Sequence, residues 1–258
     1  MAEHPAVVTE FTHQAEAFAA APVMRARVTL EDFVALLPAG PDQRWLDVAC
    51  GPGIVSSALA RRVAGVVGVD LTPAMVEQAA IGAAAAGVGN ARFVEGDATA
   101  LPFGDGGFDG SVTRFSLHHI PHPLRVVREM ARVVRLGGHV AVADHLTSPD
   151  PAAAAWHYEI ERLRDPSHWR SLSADALGAL GRQAGLVEVA RRVTPFDLDW
   201  EEWLQRGSGG RANRLLIEGL LGEPPAGSGA VFRLDRGRLH LSLGVFVWKR
   251  PTTKEGLA

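Results

Sequence analysis

The chain has 258 residues, close to half of them apolar, with a formal charge of -3 and one cysteine. That is enough apolar material for a sizeable core, and no basic run long enough to grip phosphates, so a nucleic-acid partner is not expected. The opening Met1-Ala2-Glu3-His4-Pro5 lacks a basic, apolar leader, no stretch of about 20 apolar residues occurs, and Cys50 has no disulfide partner. A cytoplasmic protein with no membrane partner is expected.

Residues 1–40 contain two helical stretches, with Phe11 and Phe18 seven apart on one face. Their plain reading is core packing. Arg44 to Cys50 follows as a short apolar strand closed by Gly51-Pro52-Gly53, after which Ile54 to Val63 has helical spacing. In such a strand, turn and helix unit, Gly51 and Gly53 let backbone approach a ligand, and the helix start favours a carboxylate or phosphate. Gly65 to Val69 is the second strand and ends in Asp70, about 20 residues after the glycines, the spacing at which an acid meets ribose hydroxyls. Ser56 replaces the third glycine of a dinucleotide fingerprint, and Asp47 would repel a pyrophosphate but suits a cationic amino group. The strand Ala91 to Glu95 leads to Asp97, placed to accept from an adenine amino group.

Residues 41–147 read as five strand and helix units, the last strand being His139 to His145. Alternating strands and helices imply an α/β fold with a parallel sheet. A charged, aromatic helical insert follows over 150–172, then a capped helix from Ser173 to Ala184 and a strand from Leu186 to Val193. A second insert, broken by glycine and proline, covers 197–237, and Leu239 to Lys249 forms the last strand. The inserts are expected to cap the carboxyl ends of the strands, where ligands bind in open α/β sheets.

The segments Phe11 to Phe18, Leu46 to Gly53, Gly68 to Met75, Glu95 to Ala98, Phe108-Asp109, Arg114 to His119 and Leu136 to Gly138 together resemble the class I S-adenosylmethionine-dependent methyltransferases. The resemblance is to the small-molecule branch similar to ubiquinone and menaquinone biosynthesis methyltransferases. It implies one domain over 1–258: a Rossmann-like, seven-stranded sheet, mostly parallel with an antiparallel last strand, helices on both faces and a helical cap. Residues 1–40 would be lid helices and 41–147 the cofactor core. The cofactor would be S-adenosyl-L-methionine, leaving as S-adenosyl-L-homocysteine. Asp47, Ala49, Gly51 and Gly53 would line its methionine end, Asp70 the ribose, Leu71 and Met75 the adenine faces, and Asp97 with Ala98 the adenine edge. Ala49 stands where the family usually has glycine. Arg114 is expected at the cofactor carboxylate, with a salt bridge to a sheet-end acid as its other reading.

Transfer to a hydroxyl needs a proton acceptor, and histidine is the usual agent. The family's strand order sets the fourth strand beside the fifth, so His119 oriented by Asp144 is the expected catalytic pair, against a reading in which His119 only shapes the turn before Pro121. His118, His145, His168, Trp156 and Trp169 are candidate contacts to the acceptor, although both tryptophans suit a structural anchor as well. Histidine spacing along the chain suggests no metal set, and no Gly-x-Ser-x-Gly elbow occurs. The expected activity is methyl transfer, to oxygen before carbon or nitrogen, on a small, apolar or aromatic metabolite, by a monomer or homodimer. A cyclisation or rearrangement on the same cofactor scaffold is the alternative.

Overall fold

The computed structural model describes residues 5–20, 26 and 28–252. The opening Met1 to His4 and parts of the proposed lid, 21–25 and 27, lie outside the described residues. Helices α1 (Pro5–Ala20) and α2 (Glu31–Leu36) precede β1 (Arg44–Val48), α3 (Ile54–Ala60), β2 (Gly65–Asp70), α4 (Pro73–Ala85), β3 (Ala91–Glu95) and β4 (Phe108–Arg114). A 3-10 turn at Leu117–His119 leads to α5 (Pro123–Val133), β5 (Val134–His145), α6 (Pro151–Arg164), α7 (Ala174–Gln183) and β6 (Val187–Asp199). The chain closes with α8 (Trp200–Arg206), α9 (Arg214–Gly222), β7 (Phe232–Asp235) and β8 (Arg238–Lys249).

The sheet runs β3-β2-β1-β4-β5-β8-β6. Strands β1 to β5 pair in parallel, and β8 is antiparallel to both β5 and β6. Successive side chains alternate between two buried faces. Trp45, Val66, Val112 and Val245 face α2 and α3 on one side; Leu46, Val67, Val140 and Trp248 face α5 and α7 on the other. Because helices cover both faces, these strands read as nearly continuous apolar runs rather than as alternating ones.

Three features depart from expectation. No helix joins β3 to β4, because residues 96–107 hold Gly96, Pro102, Gly104, Gly106 and Gly107, a composition hostile to a helical turn. Strand β6 extends to Asp199, past the expected end at Val193, and pairs with β8 along its whole length. An eighth strand, β7, forms inside the second insert and pairs with β8 from Phe232↔Leu241 to Asp235↔Arg238. Arg236 and Gly237, both at positive φ (47° and 74°), make the two-residue hairpin turn between them. The signal was Gly237 flanked by Phe232 and Leu234 on one side and Leu239 and Leu241 on the other.

The first insert is organised by α6. Asp150 caps it by accepting from Ala153 N at 2.9 Å, and Ala153, Trp156, His157, Ile160, Glu161 and Arg164 are buried at helical spacing. Trp156 and Ile160 join the sheet core, whereas His157, Glu161 and Arg164 bring polar groups to the carboxyl ends of the strands.

Candidate active site

The carboxyl ends of β1 to β4 open into a cavity of about 940 Å³, a volume that includes the solvent space at its mouth. Acids from three successive strands stand on its wall: Asp47 in β1, Asp70 at the end of β2 and Asp97 just past β3. Ala49 and Gly51 lie on the same wall at φ 51° and 52°. Ala49 occupies the left-handed region at a cost of about 1 to 2 kcal/mol for a residue with a Cβ, and the turn thereby presents backbone to the cavity. Leu71, Met75, Ala98 and Arg114 complete the expected set, and Val7, Phe11 and Phe18 of α1 close the other side.

Gly53 does not reach the wall. A Cβ there would stand 2.9 Å from Ala79 Cβ and from Phe93 Cε1, so this glycine, at φ 72°, lets α3 start against α4 and β3. Packing alone therefore requires glycine here, and the cavity wall is formed by Gly51, Pro52 and Ile54 around it.

Hydrogen bonds fix each acid before any ligand arrives. Ser56 Oγ donates to Asp47 at 2.6 Å, Gly51 N and Thr72 N donate to Asp70 at 2.8 and 2.9 Å, and Thr99 donates to Asp97 through N and Oγ1 at 2.7 and 2.8 Å. Burial pushes the Asp47 carboxyl up to about 7, against the Ser56 hydrogen bond and the charge of Arg114. Asp70 is likewise raised by burial. Arg114 is buried, donates to Thr29 O at 2.7 Å and faces the Asp47 charge, and burial lowers it to about 10.

An acid-lined wall with one arginine rejects a pyrophosphate and welcomes a cation. These groups could hold S-adenosylmethionine, with Asp47 for an ammonium, Asp70 for a diol, Asp97 for an adenine amino group and Leu71 and Met75 as apolar faces.

A second cavity, of about 530 Å³, adjoins the first and shares Phe18, Phe115 and His119 with it. Phe196, Leu198, Trp203 and Leu241 give it an apolar side; Gln14, His118, His145, Glu161, Arg164, Asp165 and Arg206 give it a polar one. Two arginines, Arg164 buried and Arg206 partly buried, are more positive charge than the sequence suggested. Both are spoken for. Arg164 lies 3.1 Å from Glu161 and 3.6 Å from Asp165 with its guanidinium over the Trp203 ring, and Arg206 lies 3.3 Å from Glu202.

The expected pairing of His119 with Asp144 is corrected here. Asp144 Oδ1 lies 2.6 Å from His118 Nδ1 and also accepts from the His145 backbone N–H, while Oδ2 accepts from the His118 backbone N–H. Neighbouring residues in a tight 3-10 turn point in different directions, and strand order alone could not say which of the two would face β5. His119 belongs to another chain of contacts: its Nδ1 is 3.0 Å from Ser167 Oγ, which donates to Asp165 Oδ1 at 2.6 Å. Burial works to raise Asp165, but the charges of His119 and Arg164 and the hydrogen bonds from Ser167 and Gln14 outweigh it and hold the acid at about 2.

Of the other acceptor candidates, His118 and His145 reach the second cavity and His168 is buried behind them, with ring centroids 5.4 Å from His118 and 5.9 Å from His145. The two tryptophans do not. Trp156 donates to Leu220 O at 2.7 Å and packs edge-on against Phe232, anchoring α6, and Trp169 is 47% exposed on the surface. Glu161, Arg164, Asp165 and Ser167 were missed as site residues. For Glu161 and Arg164 the signal was a helical stripe at 153, 156, 157, 160, 161 and 164 that looks like an ordinary buried face but carries three ionisable side chains.

A parallel sheet with this acid triad at its strand ends defines an S-adenosylmethionine-dependent methyltransferase fold. The methyltransferase domain model matches residues 46–142. An uncharacterised methyltransferase, YcgJ of Bacillus subtilis, is 35% identical over 64% of this chain and 66% of its own length. The YcgJ crystal structure superposes with a TM-score of 0.80 at 27% identity, covering 88% of this chain and 99% of that one. The 27-O-demethylrifamycin SV methyltransferase of Amycolatopsis mediterranei is 34% identical over 70% of this chain and 68% of its own length. The alignments thus span about two thirds of these curated relatives. At the level of fold alone, geranyl diphosphate C-methyltransferase of Streptomyces coelicolor A3(2), solved with Mg2+, geranyl diphosphate and S-adenosyl-L-homocysteine, has a TM-score of 0.60 at 19% identity over 85% of this chain and 77% of that one. The chain belongs to the S-adenosylmethionine-dependent methyltransferase family. No helix among the described residues is long and apolar enough to cross a membrane.

Proposed function

We propose that this protein transfers a methyl group from S-adenosylmethionine in the first cavity to a small acceptor in the second. Oxygen is favoured over carbon or nitrogen as the accepting atom. The observation that carries the reading is His119, the only titratable side chain on the walls of both cavities among the described residues. The cofactor, when bound, supplies a methyl group already activated on a sulfonium. The chain's own work is to align the acceptor, exclude water and take up the acceptor's proton.

His119 suits the last of these tasks. Its Nδ1–H donates to Ser167, whose hydroxyl passes on to Asp165, so the chain of hydrogen bonds fixes the tautomer and leaves Nε2 as the basic nitrogen. Proton uptake at Nε2 places a charge on the imidazole that the Asp165 carboxylate stabilises through Ser167. Phe11 packs edge-on against the His119 ring at 4.7 Å, which supports a lid role for α1 over both cavities.

The apolar side of the second cavity, Phe196, Leu198, Trp203 and Leu241, favours an aromatic or aliphatic body, and its polar side favours at least one hydroxyl. One relative is named for transfer at the 27-O position of demethylrifamycin SV, in keeping with oxygen as the acceptor and with a role in secondary metabolism. The overall charge of -3 supports a small molecule over a nucleic acid, and the single cysteine suits a cytoplasmic enzyme.

Acceptor screening with a methyl-labelled cofactor tests the proposal. Label recovered on the product, on oxygen by mass spectrometry, is the expected result. A product formed without label would mean that the scaffold carries out a cyclisation or rearrangement instead.

A further inference from the structure

Behind the polar side of the second cavity lies a group of histidines that proton uptake at His119 does not use. His118 comes from the 3-10 turn after β4, His145 from the end of β5 and His168 from the loop after α6. They are 7%, 7% and 3% exposed, yet one ligand nitrogen from each lies within 4.8 Å of the other two. We propose that His118, His145 and His168 form a binding site for a divalent cation of the zinc class, with its open face toward the second cavity.

Several observations support three nitrogen donors rather than a core that merely contains histidine. His168 Nδ1 is buried and has no hydrogen-bond partner among the described residues. A buried polar atom is normally satisfied, and a metal ion accepts the lone pair of a neutral imidazole without any other partner. A partner on Nδ1 of two of the rings leaves their Nε2 as the nitrogen able to ligate. Asp144 holds His118 Nδ1 at 2.6 Å, and Ser171 Oγ stands 3.3 Å from His145 Nδ1.

Imidazole nitrogen favours zinc, cobalt, nickel or copper over magnesium and calcium, which prefer oxygen. Three histidines also leave the fourth tetrahedral position open. His118 and His145 lie on the second cavity's wall, so an exchangeable ligand would sit there. If the reading of that cavity as the acceptor site holds, the open position would take the acceptor's oxygen beside His119. A neighbouring trio, His145, His157 and Glu161, meets the same distance criterion. We favour the three-histidine set because Glu161 is already engaged by Arg164 at 3.1 Å.

The test is titration of the chelator-treated, full-length protein with Co2+, followed by visible absorption and calorimetry, without cofactor or acceptor. One equivalent should bind with the intense absorption of a tetrahedral centre, and Zn2+ should displace it and raise the unfolding temperature. His118→Ala and His168→Ala, checked for folding by circular dichroism, should abolish that signal; His157→Ala should keep it. Asp144→Asn should weaken binding by about 10- to 100-fold. Folded wild-type protein that takes up no Co2+ or Zn2+, or a signal that survives His168→Ala, would overturn the site. Loss of the signal in His157→Ala alone would move the ion to the other trio and overturn this assignment. None of these readouts needs turnover, so failure here leaves the methyl-transfer reading standing, and failure of methyl transfer leaves this one.

Discussion

The two cavities are built in opposite ways. The cofactor cavity takes its polar groups from consecutive strand ends, Asp47, Asp70 and Asp97, each tied to backbone or to a hydroxyl a few residues away or on the adjoining loop. The second cavity gathers Gln14, His119, Arg164 and Leu241 from across the whole chain, and its charges are held by one another. The first depends on local geometry and tolerates variation elsewhere. The second is a network, and removing one member leaves its partners buried and unsatisfied. Binding of a common cofactor and choice of a particular acceptor are thus separated in the structure, with His119 as their meeting point.

The largest effect expected is on that meeting point. His119→Ala should lower turnover by about 100- to 10,000-fold with cofactor affinity retained, as measured by steady-state kinetics beside calorimetry. A variant with normal turnover would reduce His119 to a turn-shaping residue and dissolve the link between the cavities. Asp70→Ala should act only in the first cavity, weakening S-adenosylmethionine binding by about 1 to 3 kcal/mol, and unchanged affinity would remove Asp70 from the site. Phe11→Ala sharpens the comparison most finely. It removes an edge-on contact to His119 at 4.7 Å and to Phe18 at 6.1 Å, and should cost about 0.5 to 1.5 kcal/mol in cofactor binding while leaving the unfolding transition in place. A lid that plays no part would give no change.

The same contrast explains what could be read before the fold was known. The places of Asp47, Gly51, Asp70 and Asp97 on the cavity wall were legible because the strand, turn and helix pattern puts each at or just past a strand end; Ala49 and Met75, the latter inside α4, followed from the resemblance alone. The order of strands also placed Asp144 beside the β4 turn. What it could not resolve was a rotation of one residue, and the partner of Asp144 is His118. The His119, Ser167 and Asp165 chain spans 48 residues, and no periodicity links a 3-10 turn to a loop after α6. Trp156 and Trp169 misled for a related reason: an aromatic in an insert can face a ligand, the core or water, and only packing decides. Gly53 carried a signal that was read correctly as a need for no side chain, but what needs the space is Phe93 rather than a ligand.

The direct test of the account is the pH dependence of S-adenosylmethionine binding, measured by calorimetry on the full-length protein and on Asp47→Asn. Burial holds Asp47 protonated up to about 7 in the free protein. Its folded pKa lies above the ordinary 3.8, so the stability this group contributes is full below about 3.8 and is lost as pH rises through 7. The cofactor reverses that preference, because its ammonium stabilises the carboxylate. Raising the pH from about 5.5 to about 7, still below the titration of an α-amino group, should therefore tighten binding by about tenfold, and binding at the lower pH should release a proton to the buffer. Asp47→Asn should bind weakly and without that dependence. Equal affinity at both pH values in the wild-type protein, with no proton released, would contradict the claim that Asp47 receives the cofactor's amino group and that this cavity is built to read it.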